Sequence, residues 1–300
     1  MKINYKIDDT KCAPTKVYRD GSCFTEEELK KMIIEYNKLH PNKPLNLSNN
    51  KKDLVKQLEN ALKDKCDDQV CWLRQDFLKN LQDVDLKKNT FRPVGPSGKY
   101  DWLSTLHIND VIKQYQLKYP DFIFLGAVPL DFEDLPILGI KDLDFKELEN
   151  KGKYRIGIVF NLDEHWKSGS HWTASYIDLK KNQVYYFDSS GSYPPKRIRK
   201  FLTRVIKYIY QRDNKKKINF NNIIEYRNNN INDQDLQNLL QNIDIRYNTT
   251  RHQFGNEECG VYSISFILRL LNGETFNDII NKVVLDKEIN ECRKKYFINL

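Results

Sequence analysis

Three short segments in a fixed order restrict this chain's fold more than any other feature. They are Ser170-His171-Trp172, then Phe187-Asp188-Ser189-Ser190, then Gln253 followed six residues later by Cys259-Gly260. Trp172 to Leu179 and Val184 to Phe187 read as strands, and the turn Lys180-Lys181-Asn182-Gln183 joins them as an antiparallel hairpin. His171 therefore stands at the mouth of one strand and Asp188 at the end of the next, at one edge of a sheet. Cys259 precedes the apolar run Val261 to Leu271, which reads as a largely buried helix.

Each segment supplies one part of a thiol hydrolase. A cysteine nucleophile needs a base, the base needs an orienting acid, and the transition state needs a donor for its oxyanion. At a helix N-terminus, unpaired N–H groups and the helix dipole favour a thiolate at Cys259. Gly260 lets the backbone pass close to a substrate carbonyl. The Cys259 N–H and the Gln253 amide are the candidate oxyanion donors. His165-Trp166 repeats the His-Trp pair of His171-Trp172, but His165 lies in a loop, and a strand fixes a rotamer better than a loop does. Asp188 alone reads as a turn carboxylate before Ser189-Ser190-Gly191; coupled to His171 by the hairpin it reads as the orienting acid. His107 and His252 read as structural, and His40 sits in the helix-breaking loop.

The 300 residues suit one fair-sized domain plus an appendage. The apolar run near residue 261 is too short and too polar to span a bilayer, and the first residues lack a signal-peptide core, so an intracellular chain is expected. There, Cys12, Cys23, Cys66, Cys71, Cys259 and Cys292 are expected to be mostly free thiols. The first four lack the tight knuckle of a zinc site, and no metal or organic cofactor is expected. A net charge of +8 favours acidic surfaces without establishing nucleic acid as a partner.

Residues 1–90 read as a small helical domain. Thr25 and Glu28 form a capping box before Leu29, Met32, Ile33 and Tyr36, and Leu54, Leu58 and Leu62 stripe a second helix beside Lys51, Lys52 and Lys56. This pattern resembles the SAP-type DNA-binding module, while a docking or packing domain is the simpler reading. Trp72, Phe77 and Leu78 look like the face joining it to the rest. Residues 89–99 read as a linker, 91–300 as the second domain, and 212–241, rich in Asn, Lys and Gln, as an insertion. A strand over 154–160, a basic helix over 196–210 and a short strand near 243–247 complete an α+β pattern.

The motifs at His171, Asp188, Gln253 and Cys259, with Trp102-Leu103 upstream, resemble the ubiquitin-like-protein protease and adenain-like cysteine protease superfamily. Within it the chain is most similar to the maturation proteases of large cytoplasmic DNA viruses. The resemblance implies a central mixed sheet flanked by helices, with His171, Asp188, Cys259 and Gln253 as catalytic residues. It implies that Trp102 and Trp172 line a tunnel admitting Gly-Gly, and that viral core polyproteins are cut there, in the virion and host cytoplasm, with no membrane partner. Three other readings are a SUMO or ubiquitin-like isopeptidase, an acyltransferase, and a catalytically silent binding protein.

Overall fold

The computed structural model describes residues 6–79, 81–214 and 241–300. These divide into two compact units, one of residues up to 99 together with 293–300, the other of residues 100–292.

In the first unit, helix α1 (Glu26–Leu39) starts where Thr25 accepts from the Glu28 N–H and Glu28 reaches back to the Thr25 N–H. Helix α2 (Lys51–Leu62) is capped by Asn50, and short helices α3 (Gln69–Trp72) and α4 (Val84–Asn89) follow. The apolar faces of α1 and α2 enclose Phe24, Leu29, Met32, Leu54 and Leu58, all essentially without solvent contact. Trp72, Phe77 and Leu78, expected as a joining face, are instead core residues of this unit: Phe24 stacks on Trp72 and Tyr36 meets Phe77 edge-on. Lys51 donates to the carbonyls of Arg19 and Ser22, and Lys52 pairs with Asp20, so two lysines of the α2 stripe are engaged locally.

Residues 91–96 are packed rather than a free linker: Arg92 N–H donates to Lys11 O, Ala13 N–H to Thr90 O, Ile298 N–H donates to Pro93 O, and Asn299 Nδ2 donates to Pro96 O. Any side chain at Gly95 would stand 2.7 Å from Phe297, which is why a glycine is needed there. Residues 91–99 and 293–300, both assigned from sequence to the second domain, thus belong with the first unit. The cysteines also differ from expectation. Cys12–Cys23 and Cys66–Cys71 are disulfides, their Cα atoms held 5.3 and 5.5 Å apart by local chain returns, and only Cys259 and Cys292 are free. No thiolates remain in those pairs for zinc.

The second unit opens with helix α5 (Thr105–Lys118), capped by Ser104 with His107 completing the capping box. Strand β1 (Phe122–Val128), helix α6 (Phe145–Asn150), and strands β2 (Arg155–Asn161), β3 (Trp172–Asp178) and β4 (Gln183–Phe187) follow. Helix α7 (Lys196–Asn214), strand β5 (Asp244–Tyr247), and helices α8 (Cys259–Leu271), α9 (Phe276–Asn281) and α10 (Asp286–Glu291) complete the unit; α11 (Arg293–Tyr296) begins the tail. Most of the Asn-rich stretch, residues 215–240, lies outside the described residues, and its first three residues end α7.

The sheet order is β1-β2-β3-β4-β5, with β2-β3-β4 antiparallel and each outer pair parallel. All seven β3 residues are buried, as a central strand covered on both faces requires. On one face Ile158, Phe160, Ile177 and Tyr186 meet Phe201, Leu202 and Val205 of α7. On the other, α8 crosses β3, with Phe266 stacked on Phe187. Each such buried side chain contributes about 1.5–3 kcal/mol. Three arginines of α7 are engaged within the unit: Arg212 pairs with Glu149, Arg197 with Asp134, and Arg204 donates to the carbonyls of Ile140 and Lys141. Among the described residues, no helix is long and apolar enough to cross a membrane, and no cluster of three or more His, Cys, Asp or Glu is placed to hold a metal ion.

Candidate active site

The β3–β4 hairpin sets Ala174 opposite Phe187, which brings the residue before β3 and the residue after β4 to one sheet edge. His171 Nε2 is there 2.7 Å from Asp188 Oδ1, and Cys259 lies near enough to the imidazole to influence its charge. With Nε2 occupied by Asp188, Nδ1 is the nitrogen left for the sulfur. Asp188 is 1% exposed, and the same Oδ1 also accepts from the N–H and hydroxyl of Ser190. Asn248 fixes the Asp188 backbone, accepting from its N–H at 2.8 Å and donating to its carbonyl at 2.6 Å.

Burial is the largest single influence on His171 and disfavours its charged form. The hydrogen bond to Asp188 and the influence of Cys259, with the charges of both, outweigh it and push the imidazole up to about 9. His171 therefore carries charge near neutrality, beside the Cys259 sulfur. Cys259 is the first residue of α8, where first-turn N–H groups have no acceptor within the helix.

Gln253 is buried beside Ser189: the Ser189 hydroxyl donates to Gln253 Oε1 at 2.6 Å, and Gln253 Nε2 donates to Gly255 O at 3.1 Å. Gly260, expected to let the backbone pass close to a substrate carbonyl, also lies close to Leu103. A side chain at this position would come within 2.9 Å of Leu103 Cβ, so the close approach that requires glycine is to Leu103. The Leu103 carbonyl in turn accepts the Trp172 indole N–H at 2.9 Å. Trp102, half exposed, and Trp172, buried, line a cleft of about 450 Å³ with Leu103, Ala127, Pro129 and the β2–β3 loop.

His165 also lines that cleft but has its own partner. Its backbone N–H and ring Nδ1 bond the two oxygens of buried Asp131, at 2.9 and 2.5 Å. Burial would raise Asp131, but those hydrogen bonds prevail and hold it below the usual carboxylate range. His252 is buried against Phe187 and Tyr262, and burial with the nearby Arg269 charge lowers its pKa. His40 stacks on Tyr36. Ser189, Asn248 and Asp131 escaped the sequence reading. Only Ser189 carried a local signal, its place next to Asp188, and a serine there reads equally well as a turn former.

Residues 156–300 match the Ulp1 protease family, C-terminal catalytic domain. Across 307 aligned residues the chain is 31% identical to a protein of Acanthamoeba polyphaga mimivirus named as a thiol protease, with 96% of this chain and 93% of that protein covered. It is 23% identical over 270 residues to a SUMO-1 cysteine protease of African swine fever virus, covering 82% and 89% of the two. A crystal structure of an African swine fever virus protease shares the fold, with a TM-score of 0.59 at 20% identity over 98% of this chain and 97% of that one. The chain belongs to the Ulp1 protease family and is a cysteine protease.

Proposed function

We propose that this protease is an endopeptidase that cuts after Gly-Gly in viral structural polyproteins, acting in the virion and host cytoplasm during maturation. The observation that carries the catalytic assignment is the His171–Asp188 hydrogen bond with Cys259, at the start of α8, beside the same imidazole. The Cys259 sulfur bonds to the substrate carbonyl carbon while the π pair moves to oxygen, where the Cys259 N–H and the Gln253 amide receive it. The His171 imidazolium gives its proton to the leaving amine as the C–N bond breaks. Water, deprotonated by His171, then hydrolyses the thioester.

Support for Gly-Gly comes from the cleft, whose indole-bearing lining at Trp102 and Trp172 suits substrate residues without Cβ. Support for a viral substrate comes from the viral relatives. A second reading, processing of SUMO-like or ubiquitin-like precursors, is favoured by the SUMO-1 designation of the African swine fever virus relative.

The test is cleavage of a mixed library by the purified protein, with Cys259→Ala as control and products read by mass spectrometry. Gly-Gly-X peptides are set beside SUMO and ubiquitin precursors. Cuts after Gly-Gly in short peptides are the expected result. Cuts confined to folded precursors would replace the maturation reading with the second one.

A further inference from the structure

We propose that Ser189 is a positioning residue for the oxyanion donor, locking the Gln253 amide with one N–H of Nε2 free for the reacting carbonyl oxygen. This rests on the role proposed above for Gln253. Ser189 is 1% exposed and engages Gln253 at both ends. Its hydroxyl donates to Gln253 Oε1 at 2.6 Å, and its carbonyl accepts the N–H groups of His252 and Gln253 at 2.8 and 2.9 Å.

The orientation of the amide follows from its two neighbours. The Gly255 carbonyl can only accept, so the amide nitrogen, 3.1 Å away, must face it. A reversed amide would set two carbonyl oxygens against each other and lose the Ser189 donor its acceptor. Nε2 carries two hydrogens, one directed at Gly255 O, which leaves one for the substrate.

The far side of the loop is held independently. Asp286 Oδ2 accepts the N–H groups of Phe254 and Gly255 at 2.8 and 2.7 Å. The backbone around Gln253 is thereby fixed, while the rotamer of its amide depends on the Ser189 hydroxyl at one end and the Gly255 carbonyl at the other. Adjacent residues of one turn then divide the work: Asp188 orients the base and Ser189 orients the oxyanion donor. An oxyanion donor stabilises the transition state only when it is aimed in advance, because reorienting it during the reaction forfeits the gain.

The test compares Ser189→Ala, Gln253→Ala and the double variant on the substrate that the wild type cleaves fastest. Three readouts are taken: kcat and KM, affinity for the matching peptide aldehyde, and the rate at which iodoacetamide alkylates Cys259. The aldehyde adduct develops charge on oxygen; alkylation does not. Loss of an oxyanion donor slows turnover by about a hundred- to a thousand-fold, and a donor present but unaimed loses part of that, so about a ten- to hundred-fold fall in kcat is expected for Ser189→Ala. KM should stay within about two-fold, aldehyde affinity should weaken in proportion, and alkylation should be unchanged. In the Gln253→Ala background, Ser189→Ala should add nothing. Ser189→Cys, which keeps the volume and weakens the donor, should show the same split of effects and serves if the alanine variant does not fold.

Equal slowing of turnover and alkylation would overturn the proposal, as would unchanged aldehyde affinity or a full Ser189→Ala effect in the Gln253→Ala background. If Gln253→Ala itself leaves aldehyde affinity intact, the role of Gln253 fails, which is a separate outcome.

Discussion

His171 is buried enough that, alone, it would give up its proton easily; Asp188 and Cys259 reverse that and hold it up to about 9. The charged imidazolium therefore persists through neutrality and is lost as pH rises through about 9, which sets an alkaline limb in kcat/KM near that value. Asp188→Asn removes the carboxylate charge and weakens its hydrogen bond, so burial prevails and the limb should move to lower pH. Identical limbs in wild type and Asp188→Asn would show that Asp188 does not hold the imidazole charged. The meeting of His171, Asp188 and Cys259 was legible in the sequence because each sits at a strand end or helix start that local pattern marks. The parts played by Ser189, Asn248 and Asp131 were not, because their partners lie 64, 60 and 34 residues away and only the folded chain pairs them.

At the scale of elements, the start of α8 is pressed against the segment that carries Trp102. Gly260 permits this, since a Cβ there would meet Leu103 Cβ at 2.9 Å, an atom too near the backbone to swing aside. Gly260→Ala should displace Leu103, loosen its carbonyl from the Trp172 indole, and distort the cleft. Overpacking of this kind costs about 1–3 kcal/mol. Cleavage efficiency should fall about ten-fold or more, while stability should drop by a modest amount visible in denaturant titration. Unchanged kcat/KM in Gly260→Ala would mean that the cleft does not depend on this contact. The capped helix after Thr25, the β3–β4 hairpin and α8 were all readable from the sequence, because caps, turn residues and apolar spacing are local signals. The pairing of 91–95 with the tail was not, because Pro93, Gly95 and Pro96 look the same in a linker and in an extended segment that a distant strand of chain covers.

At the scale of the whole molecule, residues 293–300 belong to the first unit. Phe297 and Ile298 are fully buried there, and Asp8 N–H and Pro93 O flank Ile298. Removing residues 293–300 should therefore strip hydrogen-exchange protection from α1 and α2. Undiminished protection there would show that the tail is dispensable to that core. The proposed catalysis passes through a covalent step, a thioester on one cysteine. Both free thiols, Cys259 and Cys292, lie at helix starts or ends in the described chain, yet only Cys259 has the imidazole of His171 beside it. The most direct test is an acid-quenched single turnover with a cleavable Gly-Gly peptide, followed by peptide mapping in a mass spectrometer. The expected result is an acyl adduct on Cys259 that forms and decays with turnover and is missing, along with all cleavage, in a folded Cys259→Ala variant. An adduct on Cys292, or full turnover by Cys259→Ala, would contradict the account.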